Sequence, residues 1–257
     1  MTAERSSPTV ASDNPIFQRH LFAYREAAPY IHGNVLEVGS GTGYGIQELA
    51  PKAIHYNAID KYETPVPASL ENVTFLRGNI PPLPYAAEQF DVVVSFQVIE
   101  HIEEDYLFVS ECARVLKPGG TLILSTPNIR MSLTRNPWHV REYTAAELSE
   151  LCCPFFDSVE MLGIFGKATA MAYFEKNKAF VERIARFDVL NLQYRLPRRI
   201  LQIPYDLLNR LNRLALRKSD TALTQAVSLA EFELAPASDR CFDLFCVAKK
   251  KNRLTKS

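Results

Sequence analysis

The sequence predicts an α/β fold: a doubly wound, mainly parallel sheet of seven strands, helices on both faces, an antiparallel last strand and a helical insertion before it. Three observations predict it. Short runs rich in Val, Ile and Leu alternate with helical patterns from about Asn14 onward, the order expected of a parallel sheet covered by crossover helices. The first apolar run leads straight into Gly39, Gly41 and Gly43, a strand-to-helix turn where ligands bind in open parallel sheets. Finally, residues 167–218 interrupt the alternation with an extended helical pattern ahead of the last strand.

The elements follow in order. "FQRHLFAYREAAPYI" reads as a helix. "NVLEVGS" is a buried strand, rich in Val and Leu and bounded by glycines. "YGIQELA" opens a helix, and "IHYNAID" is a second strand ending at Asp60. "VTFLRGN" is the third strand and "FDVVVSFQ" the fourth and most apolar. "EEDYLFVSECARVL" is an amphipathic helix stopped by the Pro and Gly of "KPGG". "TLILSTP" is the fifth strand. In "TAAELSELC", Thr144 with Glu147 three residues on gives a capping-box pattern. "SVEMLGIF" is the sixth strand and "CFDLFCVAKK" the seventh, expected antiparallel beside it. Pro197 and Pro204 are expected to break the helical insertion.

Composition bounds the function. At 257 residues and 47% hydrophobic content, the chain can build a full core. Formal net charge is zero, which argues against a protein that coats nucleic acid. The five cysteines form no CxxC pair, so neither a disulfide framework nor a zinc site is suggested, and a reduced cytoplasm is expected. The opening "MTAERSSPTVASDNP" lacks the apolar segment of a signal peptide and reads as a tail. No run approaches the roughly 20 apolar residues that span a bilayer.

The glycine turn does not match a dinucleotide fingerprint. Counting from Gly39, the sixth position is Tyr44, and from Gly41 it is Ile46; no P-loop lysine follows. Asp60, about 20 residues beyond the turn, stands where a ribose-binding carboxylate belongs. Glu37, just before the turn, would repel a phosphate. A ligand with a ribose and a cationic end fits these residues.

The stretches "VLEVGSGTGYG", "AID", "RGNIPPLPYAAEQFDVVVSFQVIEHI" and "ECARVLKPGGTLILSTPN" occur in this order over roughly Asn34 to Asn128. In them the chain resembles the class I methyltransferases that use S-adenosylmethionine (SAM), with a Rossmann-like core. The resemblance implies SAM as the cofactor. It implies that Gly39, Gly41 and Gly43 face its methionine part and ribose, and that Glu37 orients its ammonium directly or through water. Asp60 would accept the ribose hydroxyls, Asn79 and Ile80 would flank the adenine, and Gln97 would sit beside the methionine portion.

Methyl transfer to a hydroxyl needs a base, and the candidates are His101 in "VIEHIEED" and His139 in "NPWHVREYT". "VIEHI" resembles the ubiquinone-pathway O-methyltransferases, in which E-x-x-E-H is associated with a metal. Here Gln97 replaces the first acid, and an amide is a poorer hard-cation ligand than a carboxylate, so no metal is expected. "SFQV" follows the fourth strand in place of the (N/D/S)PP(Y/F/W) motif of nucleic-acid amino methyltransferases. No nucleic-acid partner is therefore expected. "TPN…NPWHVREYT" resembles bacterial methyltransferases linked with polysaccharide and glycolipid synthesis. The expected acceptor is a small molecule, a glycolipid or a saccharide, methylated at oxygen. The alternatives are an NAD-dependent oxidoreductase and a non-catalytic binding module on the same fold.

Residues 167–218 carry twelve Lys or Arg against four Asp or Glu, a net +8 that the rest of the neutral chain balances with −8. The block reads either as a lid or docking helix or as an interfacial element, residues 196–218, at the inner face of a membrane. The expected organisation is a disordered tail (1–14), a Rossmann-like SAM-binding core (15–166), a basic helical insertion (167–220), strands completing the core (221–249) and a basic tail (250–257). The oligomeric state is left open.

Overall fold

The computed structural model describes residues 10–186, 195–219 and 221–252. Positions 1–9 of the expected tail, 187–194 of the insertion and 253–257 of the C-terminal tail lie outside the described residues. Residues Ala11–Asp13 form a 3-10 turn that leads into α1 (Asn14–Ala27), and Asp13 is ion-paired with Arg213 at 3.0 Å.

The first five strands are β1 (Asn34–Val38), β2 (His55–Asp60), β3 (Val73–Arg77), β4 (Phe90–Phe96) and β5 (Leu116–Pro127). They are followed by β6 (Ser158–Gly166), β7 (Phe232–Pro236) and β8 (Asp243–Lys249). The sheet order is β3-β2-β1-β4-β5-β8-β6-β7. The first five strands are mutually parallel, and β8 runs antiparallel to both β5 and β6. Among the described residues the sheet thus has eight strands, one more than the seven expected. The addition, β7, pairs only with β6, at the sheet edge. Only Phe232 of β7 is fully buried, and the strand ends in Pro236. Such a strand carries little apolar signal, and a proline is tolerated there because an edge strand has a neighbour on one side only, so a missing N–H can face away from the ladder.

Side chains alternate across the sheet and build two core layers. Leu36, Val93, Leu122, Leu124 and Leu244 point to one layer, with Phe108 and Cys112 of α3 (Asp105–Val115) and Leu148 of α4 (Ala145–Cys152). Val35, Val92, Val94, Ile123 and Phe245 point to the other, with Phe22 and Tyr24 of α1 and Ile46 and Leu49 of α2 (Tyr44–Leu49). That two-sided burial is why the central strands read as near-continuous apolar runs.

The insertion forms α5 (Ala168–Ala185) and α6 (Arg198–Ser219), and α7 (Thr221–Ala226) follows. Pro204 does not break α6 as expected: the helix runs through it. The proline lies on the exposed face, where water can satisfy the backbone carbonyl one turn back that loses its N–H partner.

Candidate active site

The first strands, β1, β2 and β4, deliver their carboxyl ends to one crevice. β1 runs into the glycine turn, whose end caps α2: Gly43 has φ +83°, and a Cβ there would stand 2.8 Å from the Pro65 carbonyl oxygen. Gly41, at φ +57°, differs, because a Cβ built on it meets nothing within 4 Å. The open space beside Gly41 belongs to a cavity of about 350 Å³ lined by Gly39, Thr42, Asp60, Asn79, Ile80 and Gln97, among others.

Asp60 ends β2 and accepts the backbone N–H groups of Gly41 and Tyr62, both at 2.9 Å. One carboxylate thereby fixes the turn after β1 and the turn after β2 while standing in the cavity wall. Thr42 places a buried hydroxyl in the same wall without a hydrogen-bond partner among the described residues. Such a group is satisfied by a ligand or by water. Gln97, just past β4, has φ +57°, unusual for a residue with a side chain. It is held there by its N–H on the Ser125 carbonyl at 2.8 Å and its side-chain amide on the Ser125 hydroxyl at 3.3 Å. Strained residues of this kind collect at functional sites.

Glu37 and Gly43 do not line this cavity. Glu37 is 1% exposed and accepts the hydroxyls of Tyr24 at 2.7 Å and Tyr56 at 3.0 Å. Burial raises its pKa from 4.5 to about 7, although both tyrosine hydrogen bonds oppose the shift. Tyr24 does line the cavity, so Glu37 reaches it through the tyrosine hydroxyl.

A second cavity, of about 280 Å³, shares His20, Gln97 and His101 with the first and extends beneath the insertion. His139, Glu100 and Glu142 line it, with Asn177 from α5 and Asn209 and Asn212 from α6. His101 and His139 are brought together, their rings edge to face at 5.0 Å. His101 Nδ1 lies 3.1 Å from the Trp138 carbonyl oxygen, which can only accept; the proton is then on Nδ1 and the lone pair on Nε2. His139 Nδ1 bonds Glu142 at 2.6 Å, and its Nε2 faces the Asn136 side-chain nitrogen at 2.8 Å. Asn136 Oδ1 accepts from the Trp138 N–H at 3.0 Å, which orients the amide so that its nitrogen donates to His139. His20 contrasts with both: burial, Arg19 and Arg213 lower its pKa to about 3.

Glu100 is buried and accepts the Thr126 hydroxyl at 2.9 Å; burial raises its pKa. Glu100, His101 and His139 present ligand atoms within 4.8 Å of one another. Both ring nitrogens of His139 are already hydrogen bonded, so a cation would have to displace Asn136 or Glu142.

Known proteins place the chain in a family. A methyltransferase domain model matches residues 36–124. A probable S-adenosylmethionine-dependent methyltransferase of Mycolicibacterium smegmatis is 36% identical over 253 residues, covering 95% of this chain and 90% of its own. The chain belongs to the SAM-dependent methyltransferases. A probable member from Mycobacterium tuberculosis is 41% identical to the methyltransferase over 175 residues, 64% of each chain. A ubiquinone biosynthesis O-methyltransferase of Hahella chejuensis is 37% identical over 111 residues, 40% of this chain and 44% of its own. Solved structures agree in fold. A Thermotoga maritima SAM-dependent methyltransferase superposes with TM-score 0.54 at 16% identity, over 91% of this chain and 92% of its own. The [4+2]-cyclase SpnF superposes with TM-score 0.55 at 19% identity, over 91% and 81%.

SAM is the cofactor of the methyltransferase. The first cavity fits it on three counts: open space beside Gly41, a carboxylate at the end of β2 and the unpartnered Thr42 hydroxyl. The turn glycines and Asp60 were legible as local sequence. His20 and Tyr24 were not singled out, because they reach the cavities from α1, which carries no motif of its own; Thr42 and Trp138 stand inside the quoted stretches, but nothing local marks them as cavity walls. Glu142 stands three residues beyond His139, and that spacing was the available signal for the pair.

Proposed function

We propose that the methyltransferase acts on a hydroxyl oxygen of a saccharide or glycolipid bound in the second cavity, with His139 as the base. The supporting observation is the meeting of two cavities at Gln97 and His101, with a histidine–carboxylate pair on the acceptor side. When bound, SAM supplies a methyl group on a sulfonium, ready for in-line displacement by a nucleophile. The protein's task is then to hold the acceptor in line and to take its proton.

In this reading Glu142 holds the His139 proton on Nδ1 and stabilises the imidazolium that forms once Nε2 has taken the acceptor's proton. The acceptor hydroxyl replaces the Asn136 amide at Nε2. His20 is too weak a base for this role, with its pKa near 3. Amides favour a polyhydroxylated acceptor: Asn212 donates to Asn177 at 2.7 Å, while its own buried Oδ1 has no hydrogen-bond partner among the described residues and suits a hydroxyl. The ubiquinone-pathway relative supports oxygen as the methylated atom. Gly39, Gly41, Asp60, Asn79, Ile80 and Gln97 hold the cofactor, with Glu37 acting through Tyr24.

The test is transfer of labelled methyl from SAM to sugars and glycolipids, with the product's methylated atom read by NMR. His139→Ala is expected to lower kcat about 10²–10⁴-fold with SAM affinity unchanged. Methyl found on nitrogen or carbon, or full turnover by His139→Ala, would sink the reading.

A further inference from the structure

Helix α6 is mounted inside out. An amphipathic helix on a globular protein ordinarily turns its apolar stripe to the core and its polar face to water. Here the inward face carries Tyr205, Asn209, Asn212 and Arg213, all of which line the second cavity. The outward face carries Ile200, Ile203, Leu207, Leu208, Leu211 and Leu214, each between 45% and 80% exposed. Their spacing of three and four residues makes one continuous stripe along the helix. A stripe of this size facing water calls for a covering surface.

We propose that this face seats the enzyme on an anionic lipid surface, with α6 lying in the headgroup plane above the acceptor cavity. Charge selects the occupant. The 22 residues of α6 hold six Lys or Arg, of which Arg213 faces inward and is paired with Asp13, and one acid, Asp206. That acid is engaged by the Trp138 indole N–H at 2.9 Å. A second copy meeting this stripe face to face would bring two such cationic helices together; an anionic surface relieves their charge instead. The helix would be about 33 Å long at 1.5 Å per residue. Among the described residues no helix is long and apolar enough to cross a membrane, so α6 lies on the surface and does not span it. The seating is independent of which acceptor the second cavity takes.

The experiment is flotation of the full chain with phosphatidylcholine vesicles, with and without phosphatidylglycerol, at low and high salt. Flotation is expected with the anionic vesicles at low salt, weakening as salt rises. Leu207→Asp with Leu211→Asp, both exposed, should abolish it. Arg199→Glu with Arg210→Glu should weaken it at least roughly thirtyfold. All variants should keep the thermal shift that SAM induces, which separates loss of seating from loss of fold. Absence of flotation at low salt would overturn the proposal, as would equal, salt-insensitive binding to neutral vesicles. A concentration-dependent dimer that Leu207→Asp with Leu211→Asp dissolves, without flotation, would assign the face to a second copy.

Discussion

At Gly41 the backbone is left-handed and opens onto the cofactor cavity, so one methyl group tests the site. Gly41→Ala pays about 1–2 kcal/mol for the left-handed conformation, which lowers the Tm by a few degrees. Its Cβ occupies ligand space, so SAM affinity should fall more than tenfold in calorimetry; unchanged affinity would place the ligand elsewhere. Glu37 gives a pH signature. Its folded pKa, about 7, lies above its ordinary 4.5, so the fold binds the proton more tightly than the unfolded chain does. The contribution is therefore fully present below about pH 4.5 and is lost as pH rises through about 7. The loss is on the order of 3 kcal/mol at most. Glu37→Gln should be less pH-sensitive over this window, and Tm curves of the two proteins that stay parallel from about pH 5 to about pH 8 would refute it. Asp60 and the turn glycines were readable because backbone geometry at a strand end admits few residues. The contacts of Trp138 and Asn212 were not, since they arise only when α6 packs over the loop after β5 and against α5.

At the scale of elements, α4 shows a local signal becoming a local structure. The Thr144 hydroxyl accepts the Glu147 N–H at 3.3 Å, and the Glu147 carboxylate accepts the Thr144 N–H at 2.9 Å. Thr144→Ala should cost about 1 kcal/mol and lower the Tm by about 2–4 °C, with no change in SAM affinity. A fall beyond roughly 10 °C would mean that the cap also supports the loop holding His139. The central strands were legible because burial on both faces demands unbroken apolar sequence. Strand β7 was not, since an edge needs no such run. Helix α6 was half legible: periodicity reveals two faces, but not which one the rest of the protein will accept. Here a polar cavity claims the polar face.

For the whole molecule, cofactor binding is the natural probe. SAM at about 100 times its Kd should add about 2.7 kcal/mol, raising the Tm by about 5–10 °C. NADH at the same concentration should leave it unchanged; a shift with NADH alone would reverse the cofactor assignment. The placement of β8 bears on how the enzyme is made. Synthesis proceeds from the amino end, yet β8 fills the slot between β5 and β6, strands made well before it. Until residue 249 leaves the ribosome, both flanking strands present unpaired backbone, and the nascent chain cannot complete its sheet. Unpaired strand edges invite aggregation. A stop codon just ahead of β8 should therefore send the product to inclusion bodies, although every residue of the SAM cavity has by then been translated.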